Sequence, residues 1–154
     1  GLYLFLPNPL FGYRKNLESM KDLQVDWVSG ACFLISKKIF NNLKGFDENF
    51  FLYLEDVDIC LRTKTQMGKN ILLTSKTSII HKSGKSSKNS SFLSKISSYK
   101  SKLYFHKKYN NRLLYLLLIP MMYFAVLIKL IALILLFRNS EEIKSQFKVL
   151  TNLL

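Results

Sequence analysis

Acidic side chains are scarce in this sequence: ten Asp and Glu face twenty-three Lys and Arg, for a formal net charge of +13. Cysteine is scarcer. Cys32 and Cys60 are the only two, and without a CxxC spacing they argue against a zinc site and against a disulfide scaffold, and fit a reducing cytoplasm. Both lie in runs that read as buried strand or helix positions. No internal repeat is visible, and a phosphate loop is missing as well. Gly84–Ser86 reads GKS, but a Walker A loop needs a glycine five residues before Gly84, and that place holds Ile79.

A length of 154 residues suits one ordinary domain. With Gly1 in place of methionine, the chain reads as part of a longer protein or as a gene product shortened at its start.

What is present is unevenly spread. The run LLYLLLIPMMYFAVLIKLIALILLF, Leu113–Phe137, is almost wholly apolar, broken by Pro120 and Lys129. A hydrocarbon core takes roughly 20 helical residues to cross, so this run is long enough for a membrane helix. Charge is segregated too: residues 1–60 carry a net −2 and residues 61–154 a net +15. From Lys82 to Arg112 there are nine Lys and Arg and no acid. A basic segment next to an apolar span marks the cytoplasmic side of a membrane. Nucleic-acid binding is the rival reading of such a stretch, and the adjoining apolar run favours the membrane over it.

Along the chain, the first residues have prolines and no sustained period, and Val25–Ser36 (VDWVSGACFLIS) reads as a strand buried on both faces. Gly30 within it suits a bulge or a close approach to the backbone. Ser36 is an N-cap candidate for a short helix that Gly45 stops. Glu55–Met67 has helical spacing, with Val57, Leu61 and Lys64 on one stripe and Ile59 and Cys60 nearby, acids in the first turn, bases later and Gly68 as the stop. NILLT and TSIIH read as short strands, and KSGKSSKNSS as a basic loop. The segment FLSKISSYKSKLYFHKKY then interleaves apolar residues and lysines at helical spacing, which predicts an amphipathic helix at a membrane surface or against the domain. A short amphipathic helix closes the chain.

Half of the ten acids crowd into GFDENFFLYLEDVDICLR, Gly45–Arg62. A helix turns about 100° per residue, so Asp58 and Arg62, four apart, can pair, while Asp56 points elsewhere. Asp56 and Asp58 imitate a metal-binding DxD, but on a helix they stand about 200° apart and cannot readily share one ion. Read from the residues alone, Trp27 is a core aromatic, His81 a strand-end histidine bonded to a carbonyl, and the lysines after it solvated.

From Val25 to Ser86, the elements DWVSGA, GFDE.FF.Y.ED.D.C.R, the glycine after the helix and IIH..G.S recur in an order that resembles the C-terminal part of the catalytic domain of family 2 glycosyltransferases, particularly bacterial rhamnosyltransferase-like members. The YKSKLYFHKKY segment is similar to that family's basic helix. The resemblance implies an α/β fold, the acceptor-side half of a GT-A domain at residues 1–90. A basic amphipathic helix (91–112), a transmembrane or membrane-embedded helix (113–137) and a short amphipathic helix (138–154) follow it. It further implies an inverting transfer from a nucleotide-sugar donor to a lipid-linked sugar or polysaccharide acceptor, in cell-surface glycan synthesis at the cytoplasmic face of a bacterial inner membrane.

By the same resemblance, Asp56 is the catalytic base and Glu55 its neighbour, fixing that carboxylate or bonding acceptor hydroxyls. Trp27 and Gly30 line the acceptor pocket. Lys82, Lys85 and Ser86 form a loop over the diphosphate, and His81 completes the shell of a Mg²⁺ or Mn²⁺ ion on the donor. Asp58 and Arg62 are expected to be a structural pair. Nothing in Gly1–Gln24 supplies the family's donor-binding half with its DxD. An inactive membrane-bound remnant or accessory subunit, binding a glycan or protein partner, is the alternative, and no nucleic-acid partner is expected.

Overall fold

Residues 22–74, 76–81, 91–110, 112–136 and 140–152 are described by a computed structural model, in which the chain falls into two units. One unit joins the residues up to Asp47 with Glu55–His81; the other joins Glu48–Leu54 with Lys82–Leu154. Lys82, Lys85 and Ser86 lie outside the described residues.

In the first unit β1 (Leu23–Val25) pairs antiparallel with β2 (Ile71–Leu73), Leu23 facing Leu73 and Val25 facing Ile71. Beside this ribbon the Asp22 carboxyl is held below the usual carboxylate range, first by a hydrogen bond from Thr74 and then by Lys76, whose ammonium is 3.3 Å away. The strand expected over Val25–Ser36 stops at Val25. A strand buried on both faces needs partners for its backbone and cover above and below, and β1 has one three-residue neighbour among the described residues. The chain instead turns at Ser29–Cys32, closed by the Cys32 N–H on the Ser29 carbonyl at 3.3 Å. Leu34 is 99% exposed and Cys32 is exposed, where the sequence suggested burial. Thr77–His81, expected as a strand, is likewise irregular and exposed. The anticipated α/β sheet is therefore represented by this ribbon, and helices predominate among the described residues.

α1 (Lys37–Asn42) begins where the Ser36 hydroxyl accepts the Ile39 N–H at 3.2 Å, satisfying one of the free donors of the first turn. It ends in a reciprocal cap: Lys44 N–H bonds the Asn41 carbonyl at 3.0 Å and Gly45 N–H the Phe40 carbonyl at 2.9 Å. Gly45 sits at φ +74°, which costs a residue without a Cβ little, and an added Cβ there would press within 3.4 Å of the Phe40 ring.

α2 (Glu55–Met67) has the bounds its spacing predicted. Its buried face differs from the predicted stripe. Ile59, Cys60, Thr63, Asp58 and Arg62 turn inward, whereas Val57, Leu61 and Lys64 are half-buried. Ile59 and Cys60 join Leu43 in a small core onto which Trp27, Ile35 and Phe40 pack.

The second unit is helical: α3 (Ser91–Tyr109), α4 (Arg112–Leu135) and α5 (Ser140–Thr151). Leu118, Met122, Val126, Leu130 and Leu133 form one buried stripe along α4, and Met122 and Val126 meet Ile96 and Leu103 of α3 and Val149 of α5. Buried Ser97 and Ser101 lie on α3 near these contacts. Burial holds the His106 imidazole below its ordinary range. Phe50, 5% exposed, packs edge-on to Tyr104 at 4.8 Å, and the Ser101 hydroxyl donates to the Leu52 carbonyl at 2.8 Å, fixing residues 48–54 on α3.

Most of the remaining α4 surface is exposed leucine, isoleucine, methionine and phenylalanine. α4 is the one helix among the described residues that is long and apolar enough to cross a membrane.

Two outcomes follow from this packing. Asp58→Ala leaves the Arg62 charge buried without its carboxylate and is expected to cost about 3–5 kcal/mol in urea unfolding. Lys64→Ala, at the exposed Asp26 pair, costs below about 1 kcal/mol.

Candidate functional site

The acids of the opening turn of α2 separate by direction. Asp58 is fully buried, and its Oδ2 receives the Arg62 Nε at 2.7 Å. Arg62 uses its other two nitrogens on the end of α1, donating to the Leu43 carbonyl at 2.7 Å and the Gly45 carbonyl at 2.9 Å. Those carbonyls belong to the negative end of a helix, where a cation is favourable. The expected structural pair is present, and its reach to α1 is a contact that spacing along α2 could not reveal.

Asp56 faces the other way. Its Oδ2 accepts the Gly30 N–H at 2.8 Å across 26 residues of sequence, and its Oδ1 accepts the Val57 N–H at 2.8 Å. Both oxygens are thereby oriented by main-chain donors, and each keeps a lone pair for another proton. Gly30 is the close approach its position suggested: a Cβ there would lie 3.5 Å from Asp56 Cβ, in ordinary contact, and would occupy the space beside the carboxylate. Glu55, half-buried, has an Oε2 that is shielded from solvent and has no hydrogen-bond partner among the described residues. A hydroxyl donor would satisfy it.

The entry to this turn is unusual. Tyr53 and Leu54 have φ of +72° and +70°. Two bulky residues in the left-handed region cost on the order of 1–3 kcal/mol each, and such residues concentrate at functional sites. No sequence signal marks them, because glycine or asparagine would be the expected residue there.

The other expected residues are more loosely placed. Trp27 is half-buried against the Leu43–Ile59–Cys60 core, which is the packing of a core aromatic. His81 is exposed. Asp56 and Asp58 point apart, and among the described residues no group of three or more His, Cys, Asp and Glu side chains could hold a metal ion. His81 can offer one imidazole nitrogen; the described residues do not make a metal centre by themselves. Cys60 is an inert thiol: burial pushes it up, opposed by a hydrogen bond from the Val28 backbone.

No protein-family model and no solved structure matches the chain. It is similar over 47 residues, at 40% identity, to the N-acetylglucosaminyl-diphospho-decaprenol L-rhamnosyltransferase of Mycobacterium tuberculosis, covering 30% of this chain and 15% of that protein. It is 44% identical over 41 residues to the rhamnosyltransferase WbbL of Escherichia coli K12, 27% of this chain and 16% of that one. A third relative, the low-salt glycan biosynthesis hexosyltransferase Agl10 of Haloferax volcanii, is 33% identical over 42 residues, 27% of this chain and 14% of the relative. The matched stretch thus spans about a sixth of the length of these relatives, and it relates part of the chain to glycosyltransferases.

The two thiols should separate chemically. At pH 8, iodoacetamide is expected to alkylate exposed Cys32 in the native protein and to reach Cys60 only after denaturation, as read by mass spectrometry of the two peptides.

Proposed function

We propose that this chain is the acceptor-side part of a membrane-associated, inverting glycosyltransferase of family 2 with a GT-A fold, and that Asp56 is its general base. The observation that carries this reading is the Asp56 carboxylate, held at the first turn of α2 by the Gly30 and Val57 amides. The similarity of part of the chain to rhamnosyltransferases supports it.

In the proposed reaction an acceptor hydroxyl attacks the anomeric carbon of a nucleotide sugar in line. Its proton passes to Asp56, and the bond to the nucleotide diphosphate breaks on the far side of that carbon. A base for this step must be oriented before substrate arrives, and two main-chain donors do that without engaging every lone pair. Glu55, with its partnerless Oε2, accepts a second acceptor hydroxyl and sets the sugar's orientation. Gly30 keeps the face of the Asp56 carboxylate clear, and Trp27 offers an apolar ring edge to sugar C–H groups. His81 would offer one ligand to a divalent ion on the donor diphosphate, and the roles proposed for Lys82, Lys85 and Ser86 toward that diphosphate rest on the resemblance alone. The acceptor is a lipid-linked sugar of cell-surface glycan assembly, and α4 holds the chain at the cytoplasmic face of a bacterial plasma membrane.

Asp56→Asn keeps the shape and one acceptor oxygen, gives up one of the two main-chain hydrogen bonds and loses the base. In the whole glycosyltransferase of which this chain is proposed to be the acceptor-side part, transfer of sugar from nucleotide donor to lipid-linked acceptor is expected to fall about 10²-fold or more, with folding unchanged by circular dichroism. Glu55→Gln should chiefly raise the acceptor KM. Wild-type turnover in Asp56→Asn would remove the base assignment.

A further inference from the structure

Within the second unit, α3 borders a groove of about 280 Å³ lined by Tyr53, Ser94, Lys95, Ser98, Tyr99 and Lys102. Ser98 and Tyr99 stand three and four residues after Lys95, and Lys102 stands four and three residues after them, so these side chains share a helix face. The Lys95 ammonium donates to the Ser145 hydroxyl of α5 at 3.3 Å, and the Lys102 ammonium lies 5.8 Å from the centre of the Tyr99 ring. The Tyr53 and Ser94 hydroxyls bond each other at 2.6 Å at the groove's edge. Among the described residues neither lysine has a carboxylate partner.

The groove lining thus holds two ammonium groups and neutral hydroxyls, and the Tyr99 ring and the Ser145 hydroxyl are neutral partners that leave both positive charges without a counter-ion. Burial also holds Lys102 below the ordinary lysine range, because its charge is poorly solvated there. A multiply charged anion would supply the missing counter-charge and accept from both lysines and the hydroxyls.

The same unit offers a place for a hydrocarbon chain. Ile119, Pro120, Tyr123, Phe124, Leu127 and Leu150 line an apolar groove of about 520 Å³. Tyr99 from the cationic groove and Tyr123 and Leu150 from the apolar one pack on one core cluster. A ligand with an anionic head and a long apolar tail matches both chemistries.

We propose that the Lys95–Lys102 groove binds the phosphates of a lipid-linked diphosphate, with the two ammonium groups as counter-charges and the Ser98 and Tyr99 hydroxyls as hydrogen-bond donors. The inference rests on the reading of the chain as the acceptor side of a membrane glycosyltransferase and names the part of the acceptor that α3 holds.

The test uses the full chain in nanodiscs of neutral phosphatidylcholine, titrated with a long-chain isoprenoid diphosphate or with phosphatidylglycerol. Saturable binding of the isoprenoid diphosphate is expected, weakened about tenfold or more by Lys95→Gln/Lys102→Gln. Lys100→Gln/Lys107→Gln, at exposed positions of the same helix, removes the same charge and should change binding within about twofold. Ser98→Glu keeps both lysines, places an acid in the groove and should also abolish binding. Equal losses in the two double variants, or equal binding of phosphatidylglycerol, would overturn the proposal in favour of diffuse attraction to anionic lipid. If Asp56→Asn abolishes sugar transfer while Lys95→Gln/Lys102→Gln leaves the acceptor KM unchanged, the groove assignment falls and the glycosyltransferase reading stands. Full activity in Asp56→Asn would remove that reading, and the lipid titration would still judge the groove.

Discussion

The first unit depends on one buried guanidinium. Arg62 meets Asp58 on its own helix and the Leu43 and Gly45 carbonyls at the end of α1. A charge taken out of water is tolerable only when its hydrogen-bonding capacity is met, and here three of its nitrogens have acceptors. The geometry locks the end of one helix to the second turn of another. With so little β-sheet in this unit, few other polar contacts join the two helices. The apolar contacts of Ile59 and Cys60 with Leu43 fill the space alongside.

That lock determines what the remaining acids can do. Once Asp58 is turned inward, the roughly 200° between i and i+2 on a helix turns Asp56 away from the core. There it finds the Gly30 amide instead of a cation. Two aspartates separated by one residue thus acquire opposite roles. One is neutralised within the fold, and the other is oriented by dipoles, with no ion pair to its carboxylate among the described residues. The left-handed pair Tyr53 and Leu54 leads into this turn from a segment that Phe50 and the Leu52 carbonyl tie to α3.

In the second unit the decisive constraint is solvent. α4 buries one stripe and leaves the rest of an apolar helix uncovered, a surface that water does not favour and a bilayer does. The lysines of α3 have no acid on their own helix. Helix α3 is thus amphipathic in a different sense from the one its sequence suggests. Its buried face meets α4 and α5 and carries serines and a histidine, and its cations border a groove lined partly by tyrosine.

How much was legible varied with the range of the interaction. The bounds of α2, the cap at Ser36, the stop at Gly45 and the Asp58–Arg62 pair were readable because each is a relation among residues a few positions apart. The extended Val25–Ser36 strand was misread, since alternation and β-branching report compatibility with a sheet and cannot supply partner strands. Cys32, placed in that strand, was expected inside and lies outside. The buried face of α2 was also misjudged, because Asp58 and Arg62 count as polar in any periodicity and yet are the residues turned inward.

The amino-acid sequence by itself determined the helices, their caps, the apolar span and the crowding of acids before and within the first turn of α2. All of these follow from backbone geometry and side-chain spacing over a turn or two. Only the tertiary structure decided that the Gly30 amide reaches Asp56 from 26 residues away, that Arg62 closes the end of α1, and that Lys95 and Lys102 share a groove without a carboxylate. Those contacts join residues whose separation along the chain carries no periodic signal, and they exist because packing, not spacing, brings the groups together.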